Sequence, residues 1–120
     1  MQVHLLDATY ELFRAHFAPG RPDALDPQGR PVKATIGLIE STLALFRFDG
    51  VTHLGAASDH VIESWRNARY AGYKTGLGVA PELSAQFARA EDALRAIGVV
   101  VWPMVEWEAD DALGTAAARW

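Results

Sequence analysis

Cysteine is absent from the 120-residue sequence. That removes a disulfide-stapled secreted scaffold, a thiolate zinc site and a thiol nucleophile together. Long apolar runs are missing too: none approaches the roughly 18–20 residues that span a bilayer as a helix. The opening Met-Gln-Val-His-Leu-Leu-Asp has no basic segment and meets a carboxylate at position 7. No secretory signal is read there, so the expected compartment is the cytoplasm and no membrane partner is expected. Positive charge is also in short supply, with 11 Lys and Arg against 15 Asp and Glu and a formal charge of −4. Binding to a polyanion would therefore rest on a local patch. What remains is ordinary globular composition, half hydrophobic and 22% charged, at the length of one domain.

The pattern along the chain predicts an α/β fold. Val3 to Leu6 reads as a buried strand ending at Asp7, and Leu12, Phe13 and Phe17 stand at helical spacing after it. Residues 19–31, rich in Pro, Gly, Asp and Arg, read as a surface loop. A second helix is expected from Val32 to Phe46, its apolar face built on Ile36, Ile39, Leu43 and Phe46. Asp49-Gly50 signals a turn, and Val51 to Ala57 reads as a strand delivering Ser58 and Asp59. Pro81 opens a third helix with a stripe of Leu83, Phe87, Ala90, Leu94 and Ile97, stopped at Gly98. Val99 to Trp102 is apolar throughout, which suits an interior parallel strand. Pro103 to Trp107 reads as a connector, and a last helix starts at Glu108. Strands alternating with helices predict a parallel sheet flanked by helices in three Rossmann-like layers.

In such sheets the crevice lies beyond the carboxyl ends of the strands. The residues standing there are Asp7, Asp59 and the group Glu108, Asp110, Asp111, all carboxylates. A few carboxylates at one mouth suffice for a hard divalent cation, and two such ions can drive phosphodiester cleavage. Glu108 and Asp111, at i and i+3, project from one face of a first helical turn. Each acid also has a plainer reading. Acids in a first turn complement the helix dipole, and a lone Asp after a strand is commonly a cap. Convergence of three strand ends favours the metal, because clustered carboxylates repel without a cation.

Residues 66–74 place Arg66, Arg69 and Lys74 among Tyr70, Gly72 and Tyr73. Cations neutralise phosphates and aromatic rings accept stacked bases; a solvated loop would look the same. Arg14, close in sequence to Asp7, is a phosphate clamp or a solvated side chain. His4 reads as packed within its strand, while His16, His53 and His60 share no ligand spacing. Trp65, Trp102 and Trp107 read as core or rim packing.

Taken in order, these residues resemble the 5′→3′ exonuclease family: the N-terminal nuclease domain of bacterial DNA polymerase I, stand-alone 5′→3′ exonucleases and flap endonucleases, with a PIN-like fold. The carriers are Leu5-Leu6-Asp7 with Leu12-Phe13-Arg14-Ala15, then Pro31-Val32-Lys33-Ala34 with Gly37, then Asp59, Arg66 and Tyr73-Lys74. Most specific is Glu108-Ala109-Asp110-Asp111 with Gly114. The resemblance covers essentially the whole chain and implies that residues 1–120 are the N-terminal part of such a domain. It implies that Asp7, Asp59, Glu108, Asp110 and Asp111 ligate Mg²⁺ or Mn²⁺, and that Arg14, Arg66, Tyr73 and Lys74 meet DNA carrying 5′ ends or 5′ flaps. The chain departs from the family at Leu77, where a basic residue is usual, and at Ser58, where an aromatic is common. Two other functions compete. An aspartate-nucleophile phosphatase needs a second carboxylate two residues after Asp7, where Thr9 stands. An inert nuclease-like module would bind nucleic acid or a partner without cutting. Oligomeric state is not legible.

Overall fold

Three short strands, the central one buried along nearly its whole length, set the architecture. The computed structural model describes residues 1–48 and 50–120, so the turn expected at Asp49-Gly50 lies in part outside the described residues. Strand β1 (Val3–Asp7) leads into helix α1 (Ala8–His16) and, after the loop, α2 (Lys33–Leu45). Strand β2 (His53–Asp59) is followed by the short helices α3 (Trp65–Arg69) and α4 (Pro81–Ser84), then α5 (Phe87–Ala96). Strand β3 (Val100–Met104) feeds α6 (Ala109–Arg119). The strands pair in parallel in the order β1-β2-β3, with Asp7 opposite Ala57 and Asp59 opposite Met104. All three carboxyl ends thus reach one edge.

The pleat sends neighbouring residues to opposite faces. Leu54 and Ala56 join Leu12, Leu38, Leu83 and Leu94 in the core beneath α1, α2 and α5. On the other face Trp102 lies over Gly55, where an added Cβ would come within 2.7 Å of the indole ring. Trp102 also stacks on Trp120, at the end of α6, with ring planes 8° apart. The result is the expected three-layer arrangement.

Three expectations are corrected. Helix α2 turns Ala34, Leu38 and Thr42 inward and leaves Ile36, Leu43 and Phe46 40%, 40% and 44% exposed. Close crossing decides this: a Cβ at Gly37 would stand 2.6 Å from that of Ala15 on α1, so the small-residue face must be the one that packs. Ile39 alone of the expected stripe packs against the core. The helix expected from Pro81 onward is broken at Ala85-Gln86. There Gln86, 1% exposed, turns inward; its Oε1 accepts from the amide and hydroxyl of Thr35, and its Nε2 donates to the Glu82 carbonyl. It thereby caps α2, whose own N-cap residue Val32 offers no side-chain acceptor. Finally, β3 is an edge strand and includes Pro103 and Met104, while β2 holds the centre. Pro103 has no N–H to donate, and an edge tolerates that. Gly98, at φ +90°, ends α5 as expected.

Candidate active site

The pleat also sorts the acids. Asp7 and Asp59 lie on the α6 face of neighbouring strands and line one cleft of about 400 Å³ with Thr9, Tyr10 and Lys74. Asp7 caps α1, its Oδ1 accepting from the Tyr10 amide at 2.9 Å. Burial raises the pKa of Asp7 above the ordinary value, against the pull of that amide; the negative charges of Asp59 and Asp110 add to the rise. Asp59 is 7% exposed. Its Oδ1 accepts from the Ala109 amide at 2.8 Å, and its own amide donates to Thr9 Oγ1 at 2.7 Å. Thr9 therefore secures the central acid from the position where a phosphatase would carry its second carboxylate.

Glu108 and Asp111 share the start of α6 as their spacing predicts. Asp111 Oδ2 accepts from the Glu108 amide at 2.9 Å, so the helix-start reading of Asp111 holds in this geometry. Asp110 is exposed on the same turn. Among the described residues, no three His, Asp or Glu side chains are drawn together as a ready metal cage. Cations of the chain stand between them instead. Lys74 Nζ bridges Asp59 Oδ2 at 3.2 Å and Glu108 Oε1 at 2.9 Å. Arg66 contacts Glu108 and forks onto both Asp111 oxygens at 3.1 and 3.0 Å. That fork, the main cause, holds the Asp111 carboxyl down at about 2, with the Glu108 amide and the Trp65 indole helping. Arg66 is pushed above its ordinary value chiefly by the same bond to Asp111. Lys74 is pushed up as well: partial burial opposes its charge, but the carboxylates of Glu108 and Asp59 outweigh that.

The basic stretch is irregular beyond α3. Ser64 caps that helix, accepting from the Arg66 amide, while Tyr70 and Tyr73 stay 66% and 48% exposed. Asn67 donates to the Lys74 carbonyl, tying the loop back on itself. Trp65 packs on Trp107, ring centroids 5.7 Å apart, and its Nε1 donates to Asp111 Oδ2 at 3.2 Å. Arg14 pairs with Glu11 at 3.0 Å, its side chain 63% exposed, and does not line the Asp7–Asp59 cleft.

Sequence reasoning missed Glu91. It is 4% exposed on α5, accepts from Ser58 Oγ and faces His60 Nδ1. The signal was available, since Glu91 interrupts the inward stripe of Phe87, Ala90 and Leu94 with a charge.

Residues 2–120 match the family described as 5′-3′ exonuclease, N-terminal resolvase-like domain. The chain is 31% identical over 116 residues to DNA polymerase I of Mycobacterium leprae, covering 96% of this chain and 13% of that protein. It is 30% identical over 118 residues to DNA polymerase I of Treponema pallidum, covering 98% of this chain and 12% of that protein. A 5′-3′ exonuclease of Halalkalibacterium halodurans is 34% identical over 123 residues, covering 97% of this chain and 41% of that protein. The chain thus spans a minor part of each relative's length. With its parallel sheet and flanking helices, the chain belongs to the 5′-3′ exonuclease N-terminal domain family.

Proposed function

We propose that residues 1–120 form the N-terminal part of a nuclease domain that hydrolyses DNA phosphodiester bonds near 5′ ends or 5′ flaps with Mg²⁺ or Mn²⁺. The observation that supports this reading is the convergence of carboxylates from β1, β2 and the start of α6 on shared positive charge. Asp7 is pushed toward its neutral form there, and two side-chain cations are drawn onto Asp59, Glu108 and Asp111. The donors are all hard carboxylate oxygens, which suits these ions. Asp7, Asp59, Glu108, Asp110 and Asp111 would hold them, and a bound ion would supply Lewis acidity to the reaction.

The other steps fall to the chain itself. Arg66 reaches the acids from α3 and Lys74 from the irregular segment after it, and phosphate oxygens can replace carboxylates as their partners. The exposed rings of Tyr70 and Tyr73 offer stacking faces to unpaired bases. Arg14, paired among the described residues with Glu11 on the same helix face, can turn to a phosphate farther from the cut. Cleavage of a 5′-flapped DNA that appears with Mg²⁺ and vanishes with chelator is the expected result. DNA binding without metal-dependent cleavage would favour the inert module instead, a reading supported by the fact that three of the five acids are already paired within the chain.

A further inference from the structure

Glu91 lies outside the acidic mouth, yet the side chains on both sides of Asp59 are tied to it. It projects from α5 onto the opposite face of β2 from the mouth, and its side chain is almost wholly shut off from solvent. Its Oε2 accepts from Ser58 Oγ at 2.5 Å, and its Oε1 stands 2.8 Å from His60 Nδ1. Ser58 and His60 are the residues immediately before and after Asp59. One rigid helix thus holds both shoulders of the central acid. From the α6 side, the Asp59 carboxylate is held by the Ala109 amide.

We infer that Glu91 is a positioning residue for Asp59, fixing the end of β2 so that the Asp59 carboxylate is aimed at the mouth. This rests on the reading of Asp59 as a metal ligand. A charge buried on a helix face otherwise filled by Phe87, Ala90 and Leu94 is costly unless its bonds are required. Ser58 fits the role, because a hydroxyl at that position reaches a carboxylate and an apolar side chain does not. The bonds act through geometry, as outer-shell partners of ligands do elsewhere.

Three variants test it. Glu91→Gln keeps an acceptor for Ser58 and a donor for His60, Glu91→Leu keeps the volume and loses both, and Ser58→Ala removes one bond with the carboxylate left in place. In the metal-free protein, amide exchange at Asp59 and Ala109 is expected to quicken about tenfold in Glu91→Leu relative to Ala56 in the same strand. Manganese affinity, measured by calorimetry with Mn²⁺ alone, is expected to weaken about tenfold or more in Glu91→Leu. A smaller loss is expected in Ser58→Ala, and Glu91→Gln should stay within about threefold of the parent. Should Glu91→Leu not fold, Ser58→Ala carries the test by the same two readouts. Exchange that quickens evenly along β2 and α5, with Mn²⁺ affinity unchanged while Asp59→Asn abolishes it, would overturn the inference and leave the metal reading standing. A parent that binds no Mn²⁺, with exchange still quickened at Asp59 and Ala109 alone, would overturn the metal reading and leave the clamp.

Discussion

Two clusters of this molecule join carboxylates to arginines, and they are built to opposite ends. Asp26, in the loop before α2, is saturated. Its Oδ1 accepts from the Gln28 and Arg30 amides, each at 2.9 Å, and its Oδ2 from Arg30 Nε and Arg89 Nη2, each at 2.8 Å. These donors, the Arg30 amide first among them, hold its carboxyl well below the ordinary value of 3.8. A carboxylate has about four lone-pair sites, so nothing is left for a metal. The mouth differs. Asp7 uses one oxygen on one amide, Asp110 has no hydrogen-bond partner among the described residues, and the cations on Asp59, Glu108 and Asp111 come from residues 15 to 45 positions away in the sequence. Asp111, with four donors of its own, is fastened like Asp26; Asp7 and Asp110 keep open oxygens, and the capacity for a ligand rests with them.

The strongest way to break that contrast is Asp110→Asn. The side chain is exposed and its charge works against Asp7. The melting temperature should therefore hold or rise slightly, while Mg²⁺-dependent cleavage falls about 100-fold or more. Loss of stability with full cleavage would make Asp110 a simple helix-start residue. Asp26→Ala should do the reverse. It strands two amides and two guanidinium groups, so thermal melting should show a clear loss of stability, with DNA cleavage within about twofold of the parent. A changed cleavage rate there would show that the loop serves the site.

Acid titration sharpens the comparison further. Asp26 and Asp111 have lowered pKa values in the fold, so they bind fewer protons there than when unfolded. Their stabilisation is present above the unfolded value of 3.8 and is lost as pH falls below it, for Asp111 through about 2. Asp7 has the opposite sign. Its raised pKa means that the fold takes up a proton first, so its charge weakens the metal-free fold at neutral pH and that penalty disappears on acidification. Denaturant melts between pH 7 and pH 3 should show Asp7→Asn more stable than the parent at neutral pH, since asparagine caps a helix about as well as aspartate. Its advantage should shrink on acidification; an Asp7→Asn variant less stable at pH 7 would sink this account of Asp7.

The smallest effect is expected from Lys74→Ala. Its side chain is 37% exposed, and in the variant Arg66 still neutralises Glu108 while the Ala109 amide still holds Asp59, so the metal-free fold should lose about 1 kcal/mol. Its ammonium competes with a divalent ion for Asp59 and Glu108, so Mn²⁺ should bind the variant at least as tightly as the parent. Weaker Mn²⁺ binding would mean that Lys74 shapes the mouth and does not compete for it.

Local pattern carried much of this molecule into view. Val3 to Leu6 ending in Asp7, and Glu108 to Asp111 opening a helix, each write strand end and acid into a few neighbouring residues, and the pleat does the rest. Helix α2 was legible as a helix but not in orientation. It has two faces that lack charge, and only the close approach at Gly37 to Ala15 selects between them. The break at Gln86 depends on Thr35, and the seat of Glu91 depends on Ser58 and His60, 33 and 31 residues away. Periodicity does not record such distant pairings. The cations at the mouth were legible as a basic stretch, but their partners were not, because a phosphate and a carboxylate ask the same chemistry of an arginine.

On the proposed reading, the strand-end acids hold a divalent cation with Asp59 among its ligands, in competition with Lys74 and Arg66. The most direct test is a Mg²⁺ titration read by melting temperature, on the parent and on Asp59→Asn. A ligand that binds only the fold stabilises it by about 2.7 kcal/mol at a hundredfold excess over Kd. The parent should therefore melt at rising temperature as Mg²⁺ is added, and Asp59→Asn should not respond. A parent whose melting temperature is unmoved by Mg²⁺, or an Asp59→Asn variant that responds equally, would contradict the claim.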